Sequence, residues 1–259
     1  MTQAASVPQM LATPGVAIVT GAARRVGRVL ADALIDAGWQ VVAHVHHADD
    51  EVSAGAIRAV ADLAAPDCAE RLFAACPEPP RLIVNNAARF APDSLDAFDP
   101  QELALHIAVN VAAPALLTAA MARAAATAPR TDRLIVNILD AKLRAPNPDF
   151  LSYTLSKAAL AQLTEVSARA LAGQGVRVNA IAPALMLPSA GQSEANYVSA
   201  HSFNPLRHGV TPDDVCRALF YLIDAPAMTG ETLLLDGGQR FLGLARDVQF
   251  LSFDDETPA

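Results

Sequence analysis

The chain has 259 residues, of which 53% are apolar but only 5% aromatic, so its core has to be built largely from Ala, Val and Leu. Nineteen Lys and Arg against 27 Asp and Glu leave a formal charge of −8, which argues against a nucleic-acid surface or an anionic membrane as partner. With 18% charged residues and a mean hydropathy of +0.27, the composition excludes a disordered chain.

The stretch MTQAASVPQMLATPG has neither the basic start nor the sustained apolar run of a signal peptide. No segment reads as a membrane span; the Ala-rich run from Pro114 to Pro129 comes nearest, and Arg123 interrupts it. Cys68, Cys76 and Cys216 include no Cys-x-x-Cys pair, so neither a disulfide framework nor a metal site is expected, and a cytoplasmic location fits.

Apolar runs of strand length then alternate with helical patterns. Val16–Thr20, Gln40–Val45, Ile57–Ala61, Arg81–Asn85, Arg133–Leu139, Arg177–Ile181 and Thr232–Asp236 are continuous rather than alternating, as strands covered on both faces are. Val26–Ala37, Pro66–Cys76, Pro100–Thr127, Ser152–Gly173 and Pro212–Asp224 have helical length and spacing, while Asp50–Ala56 leaves room only for a stunted helix. The repeat predicts one α/β domain over residues 1–259, a doubly wound parallel sheet of about seven strands with helices on both faces. Residues 185–211 read as irregular, and 239–259 as a C-terminal tail. The tail carries Phe241, Leu242, Phe250, Leu251 and Phe253, too apolar for a solvated end; it packs on its own domain or on a neighbouring subunit.

The first strand runs through Thr20-Gly21-Ala22-Ala23-Arg24-Arg25-Val26-Gly27 straight into a helix. A glycine turn at a helix N-terminus lets backbone N–H groups and the helix dipole meet a phosphate. Gly21 permits the turn and Gly27 the close approach, but Arg25 stands where the usual fingerprint has its middle glycine. Such a turn is also an ordinary strand–helix connection, and the rest of the chain has to decide. At the end of the second strand, where NAD-binding folds place a carboxylate on the ribose, stands Val45, followed by His46 and His47. Arg24, Arg25 and the two imidazoles favour a 2′-phosphate, hence NADPH over NADH, although Asp49 and Asp50 lie close by. A solvated histidine pair is the alternative.

Tyr153 and Lys157 are one helical turn apart and share a face. Chemically they read as a phenol acid–base group and a cation; a unit charge about 4 Å away contributes up to ~4 kcal/mol at an effective dielectric of about 20, enough to draw the phenol toward neutrality.

Taken in order, these pieces resemble the short-chain dehydrogenase/reductase family over nearly the whole chain. TGAARRVG is similar to its glycine segment, Asp62-Leu63 to its adenine contact, and Asn85-Asn86-Ala87 to its NNA motif. Asn110 matches the helix asparagine of the catalytic tetrad, and Tyr153 with Lys157 the catalytic pair. Pro183 follows the sixth strand, and Asp236-Gly237-Gly238 closes the last. The resemblance implies a Rossmann-type fold, a homotetramer or homodimer, a lysine that holds the nicotinamide ribose, and an asparagine that keeps a relay water in place.

The family's catalytic serine lies thirteen residues before the tyrosine, and here that position is Asp140, with no serine anywhere from Pro129 to Leu151. A serine hydroxyl donates to a carbonyl, whereas an ionised carboxylate only accepts. Asp140 therefore suits a substrate that presents N–H donors or needs a proton from a carboxyl; loss of activity is the other outcome. Asp140, Arg25, HVHH and NNAARF together resemble the pteridine reductase branch, which reduces pterins and dihydrofolates with NADPH. There the counterpart of Arg25 lies near cofactor and substrate, and that of Phe90 stacks on the pterin; Phe90 as a buried loop anchor is the alternative. His47, Ala88 and Ala184 depart from the branch's usual residues. Leu185, Met186, Leu187, Tyr197, Phe203 and Leu206 are expected as walls of a small-molecule pocket. Reduction of another carbonyl or imine, and a cofactor-binding assembly role without chemistry, are the alternatives to pterin reduction.

Overall fold

The computed structural model describes residues 13–127, 132–189 and 191–253, so the N-terminal stretch read for a signal peptide and the last six residues of the tail lie outside it. The strands are β1 Val16–Val19, β2 Gln40–Val45, β3 Ile57–Val60, β4 Leu82–Asn85, β5 Arg133–Ile138, β6 Val176–Pro183 and β7 Thr232–Leu235. They form one parallel sheet in the order β3-β2-β1-β4-β5-β6-β7. The order reverses between β1 and β4, and the carboxyl ends of the strands beside such a reversal are where open α/β sheets bind ligands.

The helices are α1 Arg25–Asp36, α2 Cys68–Ala74, α3 Pro100–Ile107, α4 Ala113–Thr127, α5 Leu151–Leu171, α6 Glu194–His201 and α7 Pro212–Asp224. Both sheet faces are covered, which is why the strands are apolar at successive positions. Leu30 and Leu34 of α1 pack with Val215, Leu219 and Leu222 of α7 over Ala17, Val19, Leu134 and Val136. On the other face, Leu72 of α2, Leu117 and Met121 of α4 and Leu171 of α5 cover Ile18, Ile83, Ile135 and Val178. Burying each such side chain stabilises the fold by about 1.5–3 kcal/mol, so no single layer contact dominates.

Local chemistry sets the helix starts. Thr211 and Asp214 form a reciprocal capping box on α7, with Pro212 in the first turn. The guanidinium of Arg177 caps the other end, donating to the carbonyls of Leu222, Ile223 and Ala225 while pairing with Asp132. Across the sheet, Asn85 Nδ2 donates to Asn137 Oδ1 and Asn137 Nδ2 to Thr164 Oγ1, each at 2.8 Å. This buried ladder fixes α5 against β4 and β5.

Four features differ from the sequence expectation. The helix expected over Pro100–Thr127 is continuous but carries a π turn at Ala108–Ala112, and Asn110 sits in it; π turns concentrate at functional sites. That run is, by length and composition alone, apolar enough to cross a membrane, with a mean hydropathy of 1.8, contrary to the sequence reading. Here its Ala113, Leu117 and Met121 are buried against the sheet. Asp50–Ala56 holds turns rather than a stunted helix, and the segment 185–211 contains α6.

Candidate active site

A cleft of about 1110 Å³ runs across the carboxyl ends of the strands, from Arg24, His46, His47 and Asp62 at one end to Phe90, Asp140, Tyr153 and Lys157 at the other. A smaller hollow of about 470 Å³, beside β7, contains none of these groups.

The glycine turn is held from three sides. Gly21 has φ +65°, the left-handed region that favours glycine. A Cβ on Gly27 would lie 2.1 Å from the Gly21 carbonyl oxygen and 2.5 Å from Asn86 Nδ2, so only glycine lets α1 come this close. Thr20 Oγ1 accepts from the N–H groups of Asn86 and Ala87, both at 3.0 Å, and Asn86 Nδ2 donates to the Thr20 carbonyl at 2.9 Å. Arg24 supplies no side-chain cap to α1, so the first-turn N–H groups are left for a ligand or water. An uncapped helix start opening on the cleft, with two arginines beside it, fits the phosphates of a dinucleotide. Arg25 has φ +54°, which marks it as the position of the missing glycine. Its Nη1 donates to the Pro188 carbonyl at 3.0 Å, joining the glycine turn to the segment after β6.

His44, read in the sequence only as part of HVHH, also supports the turn. Its Nδ1 accepts from the Gly21 N–H at 3.0 Å, and its Nε2 lies 3.1 Å from the Ala61 carbonyl, a pattern that needs a neutral ring protonated on Nε2. Burial keeps it neutral by lowering its pKa. His46 and His47 are exposed and meet edge to face at 4.4 Å. Asp50 turns back onto the His47 N–H at 3.0 Å, and that hydrogen bond, helped by the charges of His47 and Arg24, lowers its pKa. Val26, Leu63 and Pro183 also line the cleft, with Leu63 buried and Pro183 ending β6.

At the other end, α5 brings Tyr153 and Lys157 to the end of β5. Asp93, in the loop after β4, caps this helix by accepting from the Ser152 N–H at 3.0 Å and from the Ser152 hydroxyl. The Tyr153 hydroxyl donates to Asp140 Oδ2 at 2.9 Å, and the Lys142 N–H donates to Asp140 Oδ1 at 2.8 Å. Lys157 Nζ donates to the Ile138 carbonyl at 2.6 Å and lies 5.6 Å from the centre of the Tyr153 ring. Burial pulls its pKa down to about 8, against the opposing pull of Asp140.

The expectation that Lys157 draws the phenol toward neutrality is corrected here. Burial, then the charge and hydrogen bond of Asp140, push the Tyr153 pKa well above 10. Burial also raises Asp140, against the hydrogen bonds from Lys142 and Tyr153. The pair is therefore a proton-holding one, a phenol donating to a carboxyl group that resists ionisation.

Asn110 is fully buried, and its amide is spent on the Arg89 backbone, accepting at 2.7 Å and donating at 3.0 Å, and on Ser156 Oγ at 2.9 Å. It anchors the NNAARF loop rather than lining the cleft. Phe90 is 45% exposed to the cleft, so it is not a buried anchor. Its ring stacks on Phe150 at 4.4 Å and meets Tyr153 edge to face at 4.7 Å. Leu185, Met186 and Leu187 line the cleft, whereas Tyr197 does not: its hydroxyl donates to the Met186 carbonyl at 2.9 Å, supporting the wall from behind. The described part of the tail packs on its own chain, with Phe250 stacked on Phe150 and Arg246 paired with Asp149.

A family model described as enoyl-(acyl carrier protein) reductase, of the short-chain dehydrogenase/reductase type, matches residues 21–240. The chain belongs to the short-chain dehydrogenase/reductase family. It is an oxidoreductase, and the parallel sheet is the family's Rossmann-type fold. The crystal structure of FolM alternative dihydrofolate reductase 1 from Brucella canis, complexed with NADP, is 35% identical with a TM-score of 0.81, over 90% of this chain and 96% of that one. The uncharacterized oxidoreductase MT0954 of Mycobacterium tuberculosis is 31% identical over 88% of this chain and 93% of its own. A 3-oxoacyl-[acyl-carrier-protein] reductase of Synechocystis is 28% identical over 87% and 97%.

Proposed function

We propose that this oxidoreductase uses NADPH to reduce a ring C=N bond of a pterin, dihydropterin or dihydrofolate. The observation that carries the reading is Asp140, which replaces the serine of carbonyl reductases and accepts from Tyr153 at 2.9 Å. A carboxyl there repels a ketone oxygen when ionised and donates a proton when neutral. It also accepts from the amino and ring N–H groups of a pterin. Phe90, edge-on to Tyr153, offers a flat ring a stacking surface. The similarity to an NADP-complexed alternative dihydrofolate reductase supports both cofactor and substrate class.

Bound NADPH supplies the hydride. Arg24 and Arg25 would hold its phosphate charge, and Lys157 would hold the ribose side of its nicotinamide half. Tyr153 would hand its proton to the substrate nitrogen and Asp140 would restore it, which supplies the proton that reduction of C=N needs beside the hydride. The segment Leu185–Leu187 with Phe90 excludes water. Leu155 and Val166 of α5, 46% and 57% exposed, are suited to subunit contacts, and a homotetramer or homodimer is part of this proposal.

The test is NADPH oxidation against a panel of dihydropterins, dihydrofolate and simple ketones. Turnover confined to the pterin compounds supports the reading. The 3-oxoacyl relative favours a second one, carbonyl reduction, which turnover confined to ketones would select.

A further inference from the structure

An ion pair, an aromatic stack and a backbone hydrogen bond bring the C-terminal segment to the active-site loop. The Arg246 guanidinium meets Asp149 at 2.8 Å, Phe250 stacks on Phe150 at 5.6 Å, and the Asp247 N–H donates to Asp149 Oδ2 at 2.8 Å. Beside these contacts, residue 247 places a carboxylate in the cleft wall shared by Asp140, Lys142 and Tyr153. Asp247 Oδ2 pairs with Lys142 Nζ at 3.2 Å, and Lys142 is the residue whose N–H binds Asp140 Oδ1. The Lys142 ammonium has its three donors committed, to Asn147 Oδ1, the Asp149 carbonyl and Asp247. A relay of contacts thus runs from Tyr153 through Asp140 and Lys142 to Asp247.

We propose that Asp247 is a positioning residue for the active-site acid: brought in by the tail and fixed by Lys142, its carboxylate keeps a proton on the Asp140–Tyr153 pair. This rests on the reading of that pair as the proton source. A negative charge facing a buried carboxyl across one cleft disfavours that carboxyl's ionisation. The Asp247 side chain is 22% exposed and paired with a cation. Its charge adds to burial in raising both Asp140 and Tyr153. The other charged groups facing this cluster are Lys142 beside it, Lys157 from α5, the Asp149–Arg246 pair, and Arg240, which is taken up by Asp236 at 2.7 Å.

The experiment follows the Asp140 carboxyl by carbon-13 NMR in the full chain without ligand, assigned against Asp140→Asn. In Asp247→Asn its midpoint is expected to fall by on the order of one pH unit, the scale of a unit charge several ångströms away at moderate dielectric. Asp247→Glu, which keeps the charge, stays near wild type, and Lys142→Met, which removes the opposing cation, moves the midpoint up. The alkaline limb of the pH–rate profile shifts in the same directions, which a merely structural role of the tail would not produce. An Asp140 midpoint unmoved in Asp247→Asn, or moved downward in Lys142→Met, overturns the proposal. Should Asp247→Asn fail to fold, Asp247→Ser, which also removes the charge, decides by the same fall or its absence. A wild type that reduces no pterin overturns the substrate reading alone, since the titration needs no substrate.

Discussion

The hydroxyl of Tyr153 and the carboxyl of Asp140, thirteen residues apart in the chain, share a 2.9 Å hydrogen bond at the buried end of the cleft. Because burial raises both groups, the phenol stays protonated at neutral pH and acts as donor. Tyr153→Phe removes that donor and leaves Lys157 on the Ile138 carbonyl. Turnover is expected to fall by about 10²–10⁴-fold with NADPH affinity within a few-fold of wild type. Steady-state rates and a fluorescence titration of NADPH check this; a residual rate close to wild type would refute the role.

Arg25 is held at φ +54°, a conformation costing roughly 1–2 kcal/mol for a residue with a Cβ. Arg25→Gly relieves that strain and adds roughly 0.5–1 kcal/mol of unfolded-chain entropy, so urea unfolding should give nearly wild-type stability. NADPH binding should nonetheless weaken about tenfold or more, the scale of losing a charged hydrogen bond. Wild type should prefer NADPH to NADH, because Val45 leaves no carboxylate at the end of β2. Equal affinity for the two cofactors at pH 6 contradicts this reading of the pocket.

His44 makes stability pH-dependent on the acid side. Its folded pKa is lowered below the free value of 6.5, so as pH falls the unfolded chain takes up the proton first. The His44 contribution is complete above about 6.5 and is lost between there and the folded pKa, as the Gly21 N–H loses its acceptor. Thermal unfolding from pH 8 to 5 should show a loss that is smaller in His44→Asn, which keeps an acceptor and does not titrate. Equal losses in the two proteins would contradict it.

Asp93 caps α5 from a different part of the chain, so Asp93→Ala should cost about 1 kcal/mol and also lower kcat, because the helix start carries Tyr153. Urea unfolding paired with steady-state kinetics checks both. A stability loss without a kinetic one would limit Asp93 to a structural role.

What the sequence made legible follows from locality. The strands showed because burial on both faces makes most of their positions apolar, and the glycine turn, Asp140 and the Tyr153–Lys157 pair showed because each lies in one short segment. The Asn110 π turn did not, since AVNVA suits either helix type. The α6 helix was hidden because EANYVSAH buries only Ala200 and so lacks an apolar period. Asp93, His44 and Asp247 act on partners far along the chain, Asp247 on Lys142 across 105 residues, and no local pattern records such contacts. The phenol's environment was misread for the same reason: the lysine one turn away was visible, but not that its ammonium turns to Ile138 and that Asp140 takes the hydroxyl.

The central claim is that Asp140 sets the chemistry, and the measurement that tests it most directly is the substrate preference of Asp140→Ser. The substitution restores the hydroxyl of carbonyl reductases and removes both the acid and its negative charge. With NADPH, turnover of dihydropterin should fall by about 10²-fold or more, the scale of one oriented acid–base group, while turnover of simple ketones stays level or rises. Asp140→Asn should not rescue, because an amide passes no proton. Dihydropterin turnover unchanged in Asp140→Ser would contradict the account.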